Sequence, residues 1–188
     1  MFKDEARKSL LQKRQNLSQA ECIKWDDLLL IQFQKLDFSN INTLGSFYPM
    51  EKHNEPNTIL LTSYLQQFIP DLIIAYPVID KSLGTMNFYE ATPDLQLNSL
   101  GIFEPHQNIM IPSNNIDCFL VPLLGFDLLG HRLGFGKGYY DKYFSTCHHP
   151  HHRIGISYFD PIPNIQDTHE FDVPLTHCIT PWNSYEFK

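Results

Sequence analysis

The sequence has no C-x-x-C pair. Its four cysteines, Cys22, Cys118, Cys147 and Cys178, lie far apart, so neither a zinc knuckle nor a disulfide framework is indicated and reduced thiols are expected. Long apolar runs are missing as well. The longest, such as Leu28 to Ile31, fall far short of the roughly 20 residues needed to cross a bilayer. The opening MFKDEARKSLLQ mixes charges of both signs and has no apolar centre, which is not the pattern of a signal peptide. Basic excess is absent too, with a formal net charge of −7, and this argues against a surface that grips nucleic acid broadly. A cytoplasmic, monomeric protein with neither membrane nor nucleic-acid partner is expected. Any positive site must be local.

What is present suits one core. A chain of 188 residues with 43% hydrophobic content can bury a single one, and residues 1–188 read as one domain. Helical composition runs from Phe2 to Leu17, with Lys3, Arg7 and Arg14 within a narrow arc of one face. Spacing leaves open whether this stripe is a solvated face or a phosphate clamp. Ser18-Gln-Ala-Glu21 is a capping box, and behind it Cys22, Trp25, Leu29, Phe33 and Leu36 follow helical spacing.

Ile41 to Tyr48 reads as a strand, followed by a polar loop from Met50 to Asn57 that contains His53 and Glu55. A helix is expected over Thr58 to Ile69 and a buried parallel strand over Leu72 to Tyr76. Residues 80–115 are less regular and are expected to form a peripheral lobe, with Met86 to Ala91 extended and Gly101 to Pro105 as a turn. Strands then follow at Ile116 to Val121, Arg153 to Tyr158 and Cys178 to Pro181, with a helix over Gly138 to Cys147. This order is that of a three-layer α/β fold, a Rossmann-like sheet of mostly parallel strands flanked by helices. His148, His149, His151 and His152 surround Pro150, and a proline-broken loop is a poor frame for a metal.

Between Val121 and Phe144 the chain gathers five of its nine glycines in VPLLGFDLLGHRLGFGKGYYDKYF. Glycines let a backbone approach a ligand closely, and open α/β sheets bind ligands beyond the carboxyl ends of their strands. Gly134, Gly136 and Gly138 alternate, so they match neither G-x-G-x-x-G nor the Walker pattern, which needs Ser or Thr where Gly138 stands. Arg132 and Lys137 supply charge, and Tyr139 and Tyr140 supply aromatic faces. Asp141 follows at once and Asp172 lies in a second acidic cluster; spacing leaves each open as a cation ligand or a plain helix-start or turn residue.

Gly125-Phe-Asp127, Gly130 and the run Arg132-Leu-Gly-Phe-Gly-Lys-Gly-Tyr-Tyr-Asp141 strongly resemble the signature of the 5-formyltetrahydrofolate cyclo-ligase (5,10-methenyltetrahydrofolate synthetase) family. Lys3 and Arg7 match its opening basic pair, and Gly101 to Pro105 is similar to its G-I-x-E-P turn. The resemblance implies a fold of the sugar-phosphate isomerase and CoA-transferase type. It implies ATP contacts from Lys3, Arg7, Arg132, Leu133, Gly134, Phe135, Gly136, Lys137, Gly138, Tyr139 and Tyr140. Folate contacts are implied for Tyr48, Glu55 and the segment Phe135 to Tyr139, magnesium at Asp141 and Asp172, and catalytic roles for Arg132 and Lys137. Pro161 and Thr176 depart from the family pattern, at positions where many members carry a glutamine and an acidic residue. The implied reaction is ATP-dependent closure of 5-formyltetrahydrofolate to 5,10-methenyltetrahydrofolate. Two other readings compete: an isomerase or acyl-transfer relative that holds a phosphate without ATP, and a catalytically silent folate or nucleotide binding module.

Overall fold

The computed structural model describes residues 1–99, 101–106 and 109–187. Residues 100, 107 and 108 of the expected 80–115 lobe, and residue 188, lie outside the described residues. In chain order the elements are α1 (Lys3–Gln15), α2 (Gln19–Phe33), β1 (Thr43–Gly45), α3 (Thr58–Phe68), β2 (Ile73–Asp80), β3 (Thr85–Glu90), β4 (Leu95–Leu97) and β5 (Phe103–Pro105). They continue with β6 (Met110–Ile111), β7 (Cys118–Pro122), β8 (Gly125–Phe126), β9 (Arg132–Leu133), α4 (Tyr139–Phe144), β10 (His152–Ile156), β11 (His177–Ile179) and β12 (Ser184–Glu186).

Eight strands form one sheet in the order β12-β11-β10-β7-β1-β2-β3-β6. The five from β11 to β2 pair in parallel, while β12 at one end and β3 and β6 at the other run antiparallel. Numbered along the chain, the parallel strands stand in the order 2-1-3-4-5, and the direction of winding reverses between β1 and β7. Loops leaving adjacent strands at such a reversal splay apart and open a crevice, which is where doubly wound sheets bind ligands.

Alternation along β7 divides the core. Cys118 and Leu120 pack on one face with Leu10 of α1, Leu29 and Phe33 of α2 and Leu61 of α3. Phe119 and Val121 pack on the other with Phe88 and with Tyr143 and Phe144 of α4. The three layers are therefore helices, sheet and helix. A side chain at Gly45 would put its Cβ 2.6 Å from the Phe119 ring, so glycine is what lets this fully buried ring lie against β1. A ring buried in this way is worth about 3–5 kcal/mol against alanine.

Helix α1 has acidic Asp4 and Glu5 in its first turn and basic Lys13 and Arg14 in its last, which suits the helix dipole. Its buried residues are Lys3, Ala6, Leu10 and Arg14, one stripe at helical spacing, so the basic face turns inward. The capping box at Ser18 and Glu21 starts α2 as its sequence predicts. That helix stops at Phe33 rather than Leu36, because Lys35 and Leu36 donate to the carbonyls three residues back and tighten the final turn.

Other boundaries move for similar reasons. Helix α4 is shorter than the expected Gly138 to Cys147: Thr146 and Cys147 also bond three residues back, and the Thr146 hydroxyl caps the Tyr143 carbonyl. Residues 80–115 contribute β3 and β6 to the main sheet and a separate ribbon of β4 and β5. The glycine-rich stretch contains a hairpin, β8 and β9, that its sequence did not predict. Buried Asp127 organises that turn by accepting from the N–H groups of Leu129, His131 and Ile165.

Candidate active site

Beyond the carboxyl ends of β1 and β7 lies a cleft of about 290 Å³. Each of its walls is built from a different part of the chain. One is the basic face of α1, another the segment after β1 with its short turn Glu51–His53, and a third the loop from Gly134 into α4. Ile102 and Asn98 of the ribbon reach the rim.

The first helix and the glycine loop touch directly. Arg7 donates from Nε to the Gly134 carbonyl at 3.0 Å and from NH1 to Asp4 at 2.6 Å. Its guanidinium lies flat against Gly136, where a Cβ would come within 3.3 Å of Cζ, and Gly136 holds a φ of 82° that side-chain-bearing residues rarely adopt. Gly138, at a φ of 71°, makes the second left-handed turn and starts α4. Lys3 and Arg7 of the basic stripe thus form a wall of the cleft, and Arg14 is buried rather than solvated.

Two ion pairs brace the same region. Lys3, only 8% exposed, reaches Asp172 Oδ2 at 2.5 Å, and that oxygen also accepts from the His169 N–H. Burial works against the charged Asp172, but Lys3 and the His169 N–H outweigh it and hold the carboxyl below its ordinary 3.8. Arg132 donates from NH2 to Asp141 Oδ1 at 2.6 Å, from NH1 to the Val173 carbonyl, and covers the Phe144 ring at 5.4 Å. Asp141 Oδ1 also accepts from the Val173 N–H. Burial draws the Arg132 guanidinium down and Asp141 opposes it. Each aspartate commits one oxygen to these bonds, and both residues line the cleft.

Among the described residues Lys137 makes no ion pair, and its exposed side chain lines the cleft. Tyr48 stacks on Tyr76 with centroids 3.8 Å apart, and it too lines the cleft. Phe135 stands 5.3 Å from the His53 ring across the opening. Tyr139 is half-buried beside it, whereas the Tyr140 hydroxyl is enclosed and makes no hydrogen bond among the described residues. Glu55 is buried, accepts from the Met50 N–H at 2.9 Å, and faces Arg14. Burial pushes its carboxyl up, against the pull of Arg14.

Of the residues to which the resemblance gives an ATP, folate, magnesium or catalytic role, all but one line this cleft. The exception is Leu133, whose side chain is wholly buried in the core and does not line it. Sequence reading missed Met50, Lys52 and His53 on the turn after β1, although the polar loop that holds them was marked, and Pro77, Ile79 and Met86 on β2 and β3. Nothing in the spacing of those last three separates a cleft wall from ordinary core. The histidines past α4 disperse: His151 packs on Phe119 and Phe144, while His152 faces His177.

The chain resembles proteins whose activity is named. It is 31% identical over 163 residues to the 5-formyltetrahydrofolate cyclo-ligase of Mycoplasma pneumoniae, covering 84% of this chain and 86% of that relative. It is 42% identical over 77 residues to the one from Mycoplasma genitalium, a match that covers 40% of this chain and about half, 47%, of that relative. The solved structure of Aquifex aeolicus 5,10-methenyltetrahydrofolate synthetase superposes with a TM-score of 0.81 at 26% identity, covering 100% of this chain and 94% of that one. The model of the 5-formyltetrahydrofolate cyclo-ligase family matches residues 2–181, and with the glycine loop, the basic helix face and the cleft between them all in place, the chain belongs to that family.

Proposed function

We propose that this protein closes 5-formyltetrahydrofolate to 5,10-methenyltetrahydrofolate with ATP, releasing ADP and phosphate. The observation that carries the reading is the seating of Arg7 on Gly134 and Gly136, which joins the helix cations to the glycine loop in one cleft. A formamide oxygen is a poor leaving group. Transfer of the terminal phosphoryl to that oxygen turns it into phosphate; N10 then attacks the formyl carbon, N10 loses its proton, the carbon–oxygen bond breaks and phosphate departs. Such chemistry asks a protein for positioning and for charge stabilisation, not for a covalent nucleophile.

Lys3, Arg7 and the backbone from Arg132 to Tyr140 are the ATP side of this reading. Lys137, which no ion pair holds among the described residues, is suited to follow the migrating phosphoryl, and Arg132 acts through Asp141, which it fixes. Tyr48, Phe135 and Tyr139 offer flat faces to a pterin ring, and Glu55 an acceptor for one of its N–H groups. At about 290 Å³ the cleft is near the lower end of ligand sites, about 300 Å³, which is room for the reacting ends of both substrates.

Magnesium fits the donor set. Asp141 and Asp172 each have an oxygen beyond the one committed to an ion pair, and among the described residues no cluster of three His, Cys, Asp or Glu side chains could hold a metal unaided. That suits a cation which keeps waters and shares phosphate oxygens. Bound there it would neutralise charge on the triphosphate. The likeness to sugar-phosphate isomerases and CoA-transferases belongs to the same proposal and rests on the parallel doubly wound sheet, a frame that many chemistries use. A cytoplasmic monomer is part of the reading too, and its four free cysteines support the reducing compartment.

Mixing the protein with 5-formyltetrahydrofolate, ATP and magnesium should raise the near-ultraviolet absorbance of the methenyl product. Folded protein that yields none would overturn the reading, and saturable binding of both substrates without turnover would replace it with a silent binding module.

A further inference from the structure

Arg14 is the third member of the basic stripe on α1, and the reaction above gives it no task. It is 2% exposed and does not line the cleft. Its NH1 donates to the Leu123 carbonyl at 2.9 Å, its own carbonyl accepts from Asn54 Nδ2, and the Phe135 ring covers its guanidinium at 5.8 Å. This one residue therefore ties α1 to the loops that leave β1 and β7.

Its remaining partner is Glu55. Arg14 NH2 stands 3.7 Å from Glu55 Oε1, with the two side chains 3% and 2% exposed. That is near enough for charge and too far for a hydrogen bond. Oε1 makes no hydrogen bond among the described residues, and neither do Arg14 Nε and NH2. Native proteins leave few buried polar atoms unmet, and an unmet carboxylate oxygen on a residue that lines a cleft points to a ligand that meets it. The slack in the pair makes this possible: a bidentate guanidinium would have used up both oxygens, whereas here Oε2 is fixed by the Met50 N–H and Oε1 stays open.

We infer that Arg14 is a positioning residue for substrate recognition, which holds Glu55 ionised with Oε1 presented to an N–H donor of the folate. This rests on the folate reading of the cleft and deepens it. Without Arg14, a carboxyl so enclosed would take up a proton and present a hydroxyl where the ligand offers a donor. The other titratable groups around Glu55 are Lys52, which supports its charge, and the Tyr140 phenol, which burial and the Glu55 charge keep protonated; His53 faces Arg14.

The test compares Arg14→Met, Arg14→Lys, Glu55→Gln and the double variant Arg14→Met/Glu55→Gln, reading KM or calorimetric Kd for 5-formyltetrahydrofolate and for ATP separately. Arg14→Met and Glu55→Gln should each weaken folate by about tenfold or more while ATP changes less than about twofold. Arg14→Lys should recover much of the loss, and Arg14→Met should add less than about twofold on the Glu55→Gln background. Equal losses for folate and ATP, or effects that multiply in the double variant, would overturn the inference. Removing one member of a buried pair can unfold a protein. If Arg14→Met does not fold, the comparison of the double variant with Glu55→Gln, where no carboxylate is left unpaired, decides by the same criterion. Wild-type protein that binds no folate, or Glu55→Gln that binds it normally, would instead overturn the reading of the cleft.

Discussion

The parallel strands end in a concavity at each pole, and the two are nearly equal in size. The one beyond the carboxyl ends measures about 290 Å³; the one beyond the amino ends, lined by Asp37, Asp117, His149, His152 and His177 among others, about 320 Å³. Their chemistry differs. At the carboxyl pole the side chains of Lys3, Arg14, Glu55 and Arg132 are buried and ion-paired, and Glu55 Oε1, on a residue that lines the space, has no hydrogen-bond partner among the described residues. At the amino pole Asp37, His149 and His152 are exposed, and Asp117 is occupied in accepting from the Asn42 and Thr43 N–H groups. Volume does not mark a site; polar groups held out of water with bonding capacity in hand do.

Four changes would break or sharpen that contrast. The largest effect is expected for Lys137→Ala, which should lower kcat by about 10²–10³-fold through loss of a charge on the transferred group, with the circular dichroism spectrum unchanged because the side chain is exposed. Unaltered kinetics would return Lys137 to the solvated surface.

Asp141→Asn should reduce magnesium-dependent turnover and, because it weakens the brace on buried Arg132, also cost about 1–3 kcal/mol of stability in a urea titration. Arg132 NH2 would lose its carboxylate partner, while NH1 keeps the Val173 carbonyl.

Acid should act next. The Asp172 carboxyl is held below its ordinary 3.8 by Lys3 and the His169 N–H, so its contribution to stability is present above about pH 4 and is lost as the pH falls through the folded value. Asp172→Asn should flatten that part of the acid limb in thermal melts recorded from pH 5 down to pH 2. The smallest effect belongs to the amino pole: His152→Ala should leave folate and ATP kinetics within about twofold of the parent. A larger change would mean that the two poles communicate.

Much of this was legible along the chain. The capping box at Ser18 and Glu21, the apolar strand over Cys118 to Val121 and the spacing of α2 are local codes, read by hydrogen bonding and periodicity within a turn or two. The glycine loop was legible for the same reason, because a left-handed backbone, as at Gly136 and Gly138, favours glycine. Illegible were the hairpin inside that loop, whose two strands are two residues each, the edge strand β6, whose ladder comes from β3 beyond the intervening ribbon, and the short edge strand β12, which folds straight back on β11.

The sequence by itself determined which residues this protein has to offer a ligand: a basic helix face, a glycine loop with Lys137, and two separated aspartates. Tertiary structure alone decided what they became. Winding reverses between β1 and β7, so the segments after those strands part and α1 closes the gap, and only this brings Lys3 to Asp172, 169 positions away, and Arg14 to Glu55. Spacing in sequence has no access to such pairs. Burial is set by the packing of distant elements, and it is burial that turns a stripe of charges from a solvated face into the wall of a site.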